Sequence, residues 1–252
     1  RQPYKSEHYN RLSTFMWNGK RVSVIFPTYN EKESIRQAIE DFFATGFVDE
    51  IVVVNNNAIS GTEEEVARTR AKQVFEKKQG YGAAIQRGLK ETDPSSDFLI
   101  VSEPDGTFDG RDVVKLLAYA DDFEYVIGTR TSREFIWAGA NMGRFLKWGN
   151  WAVAKMVELL FNTTLFTDVG CTMRLIRRDS LKKIEGQFTI DTSHFGLEMT
   201  LLAITNKLRL VEIPVNYKQR VGQSSVTGNK IKAFALGMTM INMILIHRLK
   251  TL

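Results

Sequence analysis

Strand-like and helix-like segments alternate through the first half of this 252-residue chain. Short runs of β-branched residues recur, and the residues between them place apolar side chains on one helical face, as at Ile35, Ile39 and Phe42. This alternation is typical of a parallel sheet with helices on both faces, because consecutive parallel strands need a crossover segment between them. The predicted strands of this part span residues 21–26, 50–54, 74–75, 98–101 and 125–127, and a further strand is predicted at 208–217.

Composition limits the classes of protein that fit this pattern. Hydrophobic residues make up 43% and charged residues 25%, proportions that exclude wholesale disorder and fit one large α/β domain or two small ones. The single cysteine, Cys171, excludes an intramolecular disulfide and a cysteine-rich zinc site. The net charge of +5 suits an anionic substrate or an anionic membrane surface. The basic residues form no continuous block, so nucleic acid is not expected as a partner.

Polar turns follow four of the predicted strands. Ligands of open α/β sheets bind beyond the carboxyl ends of the strands, where such turns meet. We therefore predict that the four turns line one cleft. They span residues 27–31, 55–57, 103–105 and 128–130.

Two acidic residues in the third of these turns, Glu103 and Asp105, suit a hard divalent cation. Mg²⁺ or Mn²⁺ usually takes one or two carboxylates together with phosphate oxygens of a substrate. A cation held there would neutralise charge on a departing diphosphate. An ordinary acidic turn has the same composition, so the pair alone does not decide between the two interpretations.

The second half of the chain carries two apolar segments of a different kind. Residues 138–166 combine tryptophans with Arg144 and Lys147, which predicts an amphipathic helix or helix pair. The stretch 231–246 is almost wholly apolar and is followed by basic residues, but it falls short of the about 20 residues that span a bilayer. We interpret both as interfacial elements on a membrane surface. The alternatives are core helices packed on the sheet, or a spanning segment beyond residue 252.

Five sequence motifs occur in an order that resembles a known family. They are residues 24–31 (VIFPTYNE), 51–57 (IVVVNNN) with Gly61 and Thr62, 80–82 (GYG), 101–105 (VSEPD) and 126–130 (VIGTR). The order resembles the inverting family 2 glycosyltransferases of GT-A fold. Within them it is most similar to the branch of dolichol-phosphate mannosyltransferases and polyprenyl-phosphate glycosyltransferases, over roughly residues 20–225.

The resemblance implies a fold, a domain boundary and an activity. The fold would be GT-A, an α/β fold with a Rossmann-like, mostly parallel sheet and helices on both faces. Residues 1–225 would form the catalytic domain, and residues 226–252 a C-terminal amphipathic helix at the membrane interface. The activity would be a metal-dependent, inverting transfer of a sugar from a UDP- or GDP-linked donor to a polyprenyl, dolichyl-type phosphate. The enzyme would then work at the cytoplasmic face of a membrane.

The same resemblance assigns expected roles to residues of this chain. Metal binding, by Mg²⁺ or Mn²⁺, falls to Glu103 and Asp105. The expected catalytic residues are Asp105, Arg130, Arg144 and Arg220. The lipid phosphate is expected to contact Arg130, Arg144, Arg220 and Ser225. The nucleotide sugar is expected to contact Pro27, Tyr29, Glu31, Asn55, Asn56, Gly82, Glu103, Pro104 and Asp105.

Five positions depart from the family pattern. Asn55 and Asn56 replace an acidic pair, and an amide both donates and accepts hydrogen bonds, so the base selectivity of the family does not carry over. Glu103 is the first residue of a D-x-D pair, and Thr107 replaces a glutamine, which removes one expected metal ligand. Ser225 stands where a lysine is common, which removes one expected phosphate contact.

The acceptor determines which side chains the mechanism requires. An alcohol needs a general base, whereas a lipid phosphate is already anionic and needs arginines that hold it. A transferase acting on a hydroxyl acceptor, with Asp168, Asp191 or Glu198 as the base, is the alternative. A non-catalytic module that binds nucleotide sugar or membrane is a third possibility, suggested by the departures at the asparagine pair and Thr107.

Overall fold

A computed structural model describes residues 17–222 and 230–251, apart from the side chains of Arg144, Phe145, Lys230 and Lys232. The described strands form one mixed sheet in the order β3-β2-β1-β4-β6-β5-β7. Neighbouring strands are parallel except that β6 runs antiparallel to both β4 and β5. The strands are β1 (Val22–Thr28), β2 (Glu50–Asn55), β3 (Lys72–Phe75), β4 (Phe98–Val101), β5 (Tyr125–Thr129), β6 (Arg174–Arg177) and β7 (Leu210–Pro214).

Helices cover both faces of this sheet. Alternate residues of β1 point to opposite faces, because successive side chains of a strand alternate. Val24 and Phe26 pack with α1 and α4, whereas Ile25 packs in the other core, with α3, α5, α7 and α8. The helices are α1 (Ile35–Phe43), α2 (Thr62–Ala67), α3 (Tyr81–Glu91), α4 (Asp112–Ala120), α5 (Arg144–Phe161), α6 (Arg178–Ile184), α7 (Phe195–Thr205) and α8 (Lys230–Lys250).

The predicted alternation of strands and helices is confirmed, with one addition that the pattern missed. Strand β6 and helix α6 were not predicted. The strand is only four residues long and begins and ends with arginine, so it lacks the apolar run that marked the others. It inserts between β4 and β5 and turns a parallel sheet into a mixed one. Between β2 and β3 the chain forms the short helix α2, which ends at Ala67, and β3 begins at Lys72.

The two apolar segments of the second half form one helix each. The region 138–166 contains a single helix, α5, and α8 packs against α5 and α7. Met240 and Ile244 of α8 are buried, while Phe234 and Leu249 are exposed. Within residues 17–222 and 230–251, no helix combines the length and the apolar character needed to cross a bilayer.

Candidate active site

The carboxyl ends of β1 and β4 bring three acidic side chains together around one guanidinium group. We call Glu31, Glu103 and Asp105 the acidic cluster. Arg220 donates from Nη2 to Glu31 Oε1 at 2.8 Å, and its Nη1 lies 2.5 Å from Asp105 Oδ2 and 3.8 Å from Glu103 Oε2. Three sequence-predicted site residues and a fourth, Arg220, distant in sequence, therefore meet at one edge of the sheet.

The segment that carries Arg220 is fastened to the turn after β4 on both sides of the arginine. The backbone N–H of Lys218 donates to Thr107 O at 2.8 Å, and that of Val221 donates to Asp105 O at 2.9 Å. The Lys218 ammonium also pairs with Asp109 at 2.8 Å. These contacts fix the guanidinium over the acidic cluster.

Asp105 is fully buried, and its two oxygens have different surroundings. Oδ1 accepts from the backbone N–H of Thr107 at 2.9 Å and from the Thr107 hydroxyl at 2.5 Å. Oδ2 forms no well-aligned hydrogen bond and faces only the ion pair with Arg220 among its described contacts. Thr107, which stands in place of the family's glutamine, thus orients Asp105 so that its other oxygen faces a cation, which is the Arg220 guanidinium in this structure.

Glu103 has a raised pKa. Burial, and next the charge of Asp105, raise the pKa of Glu103 to about 8, against the lowering effect of Arg220 and Arg130. The carboxyl is therefore mostly neutral at pH 7 in the ligand-free protein. A cation of higher charge than the guanidinium would favour its ionised form.

The acidic cluster offers oxygen donors to a divalent cation but no complete shell. Asp105 Oδ2 is a buried acceptor without a hydrogen bond, which suits a cation, and Glu103 lies beside it. In the described parts of the chain, no group of three or more His, Cys, Asp and Glu side chains is arranged to hold a metal ion. Mg²⁺ takes six ligands and commonly obtains several from waters and substrate phosphates. The residues present therefore fit a metal that is held jointly with a substrate.

The turn after β1 combines structural and potential binding groups. Glu31 accepts from the backbone N–H groups of Tyr29 and Asn30 at 2.7 and 2.8 Å, so its carboxylate also shapes the turn. Tyr29 is half exposed, and Pro27 is buried within β1. The carbonyl of Pro104 accepts from the Ser34 hydroxyl at 2.7 Å, which joins the two turns.

The asparagine pair at the end of β2 is engaged in hydrogen bonds with neighbouring turns and with Glu63. The Asn56 amide donates to two carbonyl oxygens of the turn 76–80, and its Oδ1 accepts from two N–H groups of the same turn. Asn55 accepts from Ala58 N and donates to Glu63. Base recognition by these side chains stays a prediction, and in this state their hydrogen bonds hold the turn.

Gly82 has a packing role in the structure. A Cβ added there would lie 2.5 Å from the Ile190 carbonyl oxygen, so only glycine allows α3 to approach the segment before α7 this closely. Its expected contact with the nucleotide stays a prediction. Ser225 lies outside the described residues, as does the side chain of Arg144.

A cavity of about 350 Å³ lies among α5, α7 and α8, with its wall reaching Arg130. Most of its lining is apolar, including Val153, Leu197 and Met240. Two guanidinium groups, those of Arg130 and Arg174, also line it, but no Asp or Glu does so among the described residues. The cavity therefore suits a ligand with an apolar body and an anionic group.

Arg130 forms an ion pair with the buried carboxylate of Asp168. The guanidinium pairs with Asp168 through Nε at 2.8 Å and Nη2 at 2.9 Å. Burial lowers the pKa of Arg130, but the charge and hydrogen bonds of Asp168 outweigh this effect and raise it well above its usual value. Arg130 is therefore permanently charged, and Asp168 positions it.

Glu212 is a part of this arrangement that the sequence analysis missed. Its carboxylate accepts from the backbone N–H groups of Thr167 at 2.9 Å and Asp168 at 3.0 Å. It thereby fixes the segment that presents Asp168 to Arg130. An acidic residue in the middle of the predicted strand 208–217 was the available signal, because such positions are usually apolar or exposed.

The carboxylates considered as a general base all have other partners. Asp168 pairs with Arg130, and Asp191 pairs with Lys78. Glu198 accepts from the backbone N–H groups of residues 189 and 190 and from the Thr189 hydroxyl. His194 lines the cavity at the start of α7, and burial lowers its pKa. Among the candidates weighed, none is a carboxylate free to activate an alcohol in the cavity.

Comparisons with known proteins identify relatives over most of the chain. A family model described as glycosyl transferase family 2 matches residues 23–185. The dolichyl-phosphate hexose transferase of Haloferax volcanii is 27% identical over 239 residues, 91% of this chain and 96% of that protein. The undecaprenyl-phosphate mannosyltransferase of Micrococcus luteus is 25% identical over 236 residues, 87% of this chain and 93% of that protein. A glycosyltransferase of Mycobacterium tuberculosis is 31% identical over 221 residues, 84% of this chain and 92% of that protein.

Solved structures with the same architecture include glucosyl-3-phosphoglycerate synthase from M. tuberculosis, in complex with Mn²⁺, UDP and glucosyl-3-phosphoglycerate. The TM-score is 0.69 at 15% identity, and the match covers 92% of this chain and 80% of that one. At this identity the likeness establishes the fold. The mostly parallel seven-stranded sheet is the predicted GT-A fold.

Replacing Glu103 with glutamine should change how the stability of the ligand-free protein depends on pH. The pKa of this carboxyl is near the ordinary 4.5 in the unfolded chain and about 8 in the folded one. Between these values the folded state binds more protons, so the free energy of unfolding falls as pH rises. Glu103→Gln removes the titrating group. Between pH 4.5 and pH 8, the melting temperature of this variant should therefore fall less than that of the wild type.

Thermal denaturation at both ends of this interval, with a chelator present, measures the effect. Glu64→Gln, at an exposed position of α2, is the control and should follow the wild type. An identical pH dependence for Glu103→Gln and the wild type would contradict a raised pKa at position 103.

Proposed function

The chain belongs to glycosyl transferase family 2, and we propose that it transfers a sugar from a nucleotide-sugar donor to the phosphate of a polyprenyl lipid. The glycosyltransferase activity follows from the family, which removes the possibility of a non-catalytic module. The acceptor is the proposed part. The observation that carries it is the apolar cavity, which reaches two guanidinium groups and has no carboxylate in its described lining.

The cavity favours an acceptor that needs no deprotonation. An alcohol nucleophile requires a positioned base, and Asp168, Asp191 and Glu198 are engaged elsewhere. A phosphate monoester carries its negative charge at neutral pH, and arginine is well suited to hold it. Relatives named for dolichyl phosphate and undecaprenyl phosphate support the same acceptor class.

The acidic cluster is proposed to hold the diphosphate end of the donor together with Mg²⁺ or Mn²⁺. Glu103 and Asp105 would be the protein ligands, and the bound cation would offset negative charge on the departing diphosphate. A structural neighbour solved with Mn²⁺ and UDP supports this choice. Arg220, which balances the same carboxylates in the ligand-free state, would then be free to pair with the diphosphate.

The proposed reaction inverts the configuration at the sugar. A lipid phosphate oxygen attacks C1 from one side, and the bond between C1 and the diphosphate breaks on the other. Arg130, held by Asp168, orients the attacking phosphate, and Arg144 and Ser225 are proposed to assist it. Tyr29 at the end of β1 is proposed to flank the nucleoside, together with the remaining predicted donor contacts. These contacts are Pro27, Glu31, Asn55, Asn56, Gly82 and Pro104.

A membrane surface is the proposed location of the lipid acceptor. Helices α5 and α8 expose large apolar side chains, including Trp148 at 65%, Leu159 at 80% and Leu249 at 72%. The last turn of α8 adds basic residues, which are attracted to anionic lipid headgroups. We propose that these helices, with residues 226–252 as one membrane-facing element, lie on the cytoplasmic leaflet beside the cavity.

Asp105→Asn should abolish sugar transfer while the protein stays folded. The amide keeps the shape of the side chain but loses the charge that would hold the cation, so the rate should fall by about a thousand-fold or more. The assay follows transfer from UDP- or GDP-linked sugars to a short polyprenyl phosphate with Mn²⁺. Asp122→Asn, at an exposed position just after α4, is the control and should keep most activity. A folded, fully active Asp105→Asn variant would refute the assigned role.

Charged substitutions on the exposed faces of α5 and α8 should weaken membrane binding. Trp148→Glu and Leu249→Glu each replace an apolar side chain whose burial contributes about 1.5–3 kcal/mol, so vesicle affinity should drop about ten-fold or more. Cosedimentation with vesicles of phosphatidylcholine and phosphatidylglycerol measures it. Val114→Glu, on α4 at the opposite face of the sheet, should bind like the wild type. Equal binding by all variants would exclude this face as the membrane contact.

A further inference from the structure

Arg174 carries a buried positive charge without an acidic partner in the described part of the chain. The residue is 2% exposed, and its guanidinium donates to the Tyr125 hydroxyl at 2.9 Å and to the carbonyl oxygens of Cys171 and Gly196. All three partners are uncharged. A buried charge is costly unless an opposite charge accompanies it.

The other guanidinium in the cavity wall has a different charge balance. Arg130 is paired with the buried carboxylate of Asp168, so the two together are close to neutral. Arg174 therefore supplies the uncompensated positive charge that faces the cavity. Its three described hydrogen bonds leave two of the five N–H groups of a guanidinium for a ligand.

Two hydroxyl groups lie in the same part of the cavity wall. The Thr172 hydroxyl is buried and lies beside the Tyr81 hydroxyl without a well-aligned hydrogen bond. Burial, and next the charge of Glu103, raise the pKa of Tyr81 well above its usual value, so the phenol keeps its proton and can donate. Tyr217 also lines the cavity, and the backbone N–H of the next residue, Lys218, donates to Thr107 O at 2.8 Å, so this wall adjoins the acidic cluster.

We propose that Arg174, Thr172 and Tyr81 form an anion subsite that binds the phosphate monoester head of the acceptor. The phosphate would supply the missing negative charge and accept from both hydroxyls, while the hydrocarbon chain extends along the apolar lining between α5 and α8. The identity of the acceptor rests on the proposed function. The subsite places the attacking oxygen between the cavity and the acidic cluster, where the donor diphosphate is proposed to bind.

A matched arginine on the same strand distinguishes this role from a structural one. Arg177 also donates from its guanidinium to carbonyl oxygens, those of Ala120 and Asp121, but it does not line the cavity. A purely structural role for Arg174 predicts that the glutamine variants of the two arginines lose stability without a selective change in ligand binding.

The test compares binding of octyl phosphate and octanol to the whole chain by calorimetry, without donor or metal. The wild type should prefer octyl phosphate, and Arg174→Gln should reduce this preference about ten-fold or more, as expected for losing a charged hydrogen-bond donor. Arg177→Gln should keep the preference. The subsite is overturned if Arg174→Gln keeps it, or if Arg177→Gln loses it equally. Inorganic phosphate binding as tightly as octyl phosphate would overturn the assignment to a lipid phosphate.

A second variant covers the case in which Arg174→Gln does not fold, as judged by circular dichroism. The double variant Thr172→Val, Tyr81→Phe removes both hydroxyls at nearly constant volume and should weaken octyl phosphate binding several-fold while octanol binding is unchanged. Unchanged phosphate binding would overturn the subsite.

Transfer assays separate this proposal from the proposed function. A wild type with an Arg174-dependent phosphate preference, but no sugar transfer to octyl phosphate from any donor tried, would support the subsite and contradict the function. Sugar transfer to octyl phosphate at the same rate in the wild type and in Arg174→Gln would support the proposed function and contradict the subsite.

Discussion

The convergence of Glu31, Glu103 and Asp105 on one guanidinium is the interaction on which this site depends. Three carboxyl groups this close disfavour one another's ionised forms, and a neighbouring cation offsets that repulsion. Arg220 supplies that cation in the ligand-free protein and brings the segment 218–222 over the strand ends. The proposed divalent metal and diphosphate would bring charges of opposite sign, so they could take the place of the Arg220 guanidinium beside these carboxyl groups.

A second set of contacts separates the roles of the two arginines in the cavity. Glu212 fixes the backbone before Asp168, Asp168 grips Arg130, and this guanidinium is therefore rigid and nearly neutralised. Arg174 is rigid as well, through carbonyl and hydroxyl partners, but its charge is unbalanced. A phosphate bound between the two arginines would accept hydrogen bonds from Arg130, which Asp168 orients, and would balance the positive charge of Arg174. Under the proposed function, an apolar cavity with such a wall would favour an anion over a neutral alcohol, since a buried charge without a partner is costly.

The sequence predicted the elements whose pattern is periodic. The apolar strands β1, β2, β4 and β5 and the amphipathic helices were predicted because their buried faces repeat at the strand or helix period. Strand β6 was missed because its four residues, with an arginine at each end, show no such repeat. Its place between β4 and β5 was not predictable either, because the order of strands in a sheet depends on contacts between distant segments. The acidic turn after β4 was predicted from its position at a strand end. Arg174 and Glu212 became visible only in three dimensions, because their significance comes from partners far away in the chain.

The asparagine pair after β2 shows a further limit of motif reasoning. Position predicted a role in base recognition, whereas the structure commits Asn56 to the turn 76–80 through four hydrogen bonds. A side chain has a limited number of hydrogen-bond donors and acceptors, and those already used within the protein are not available to a ligand. A sequence motif does not show which of them are used.

A crystal structure of the protein soaked with Mn²⁺ and a nucleoside diphosphate would test the central claim most directly. The account predicts anomalous density for manganese within bonding distance of Asp105 Oδ2, with the Arg220 guanidinium moved from that oxygen onto the diphosphate. Manganese and nucleotide bound elsewhere, with the pair between Arg220 and Asp105 intact, would contradict it.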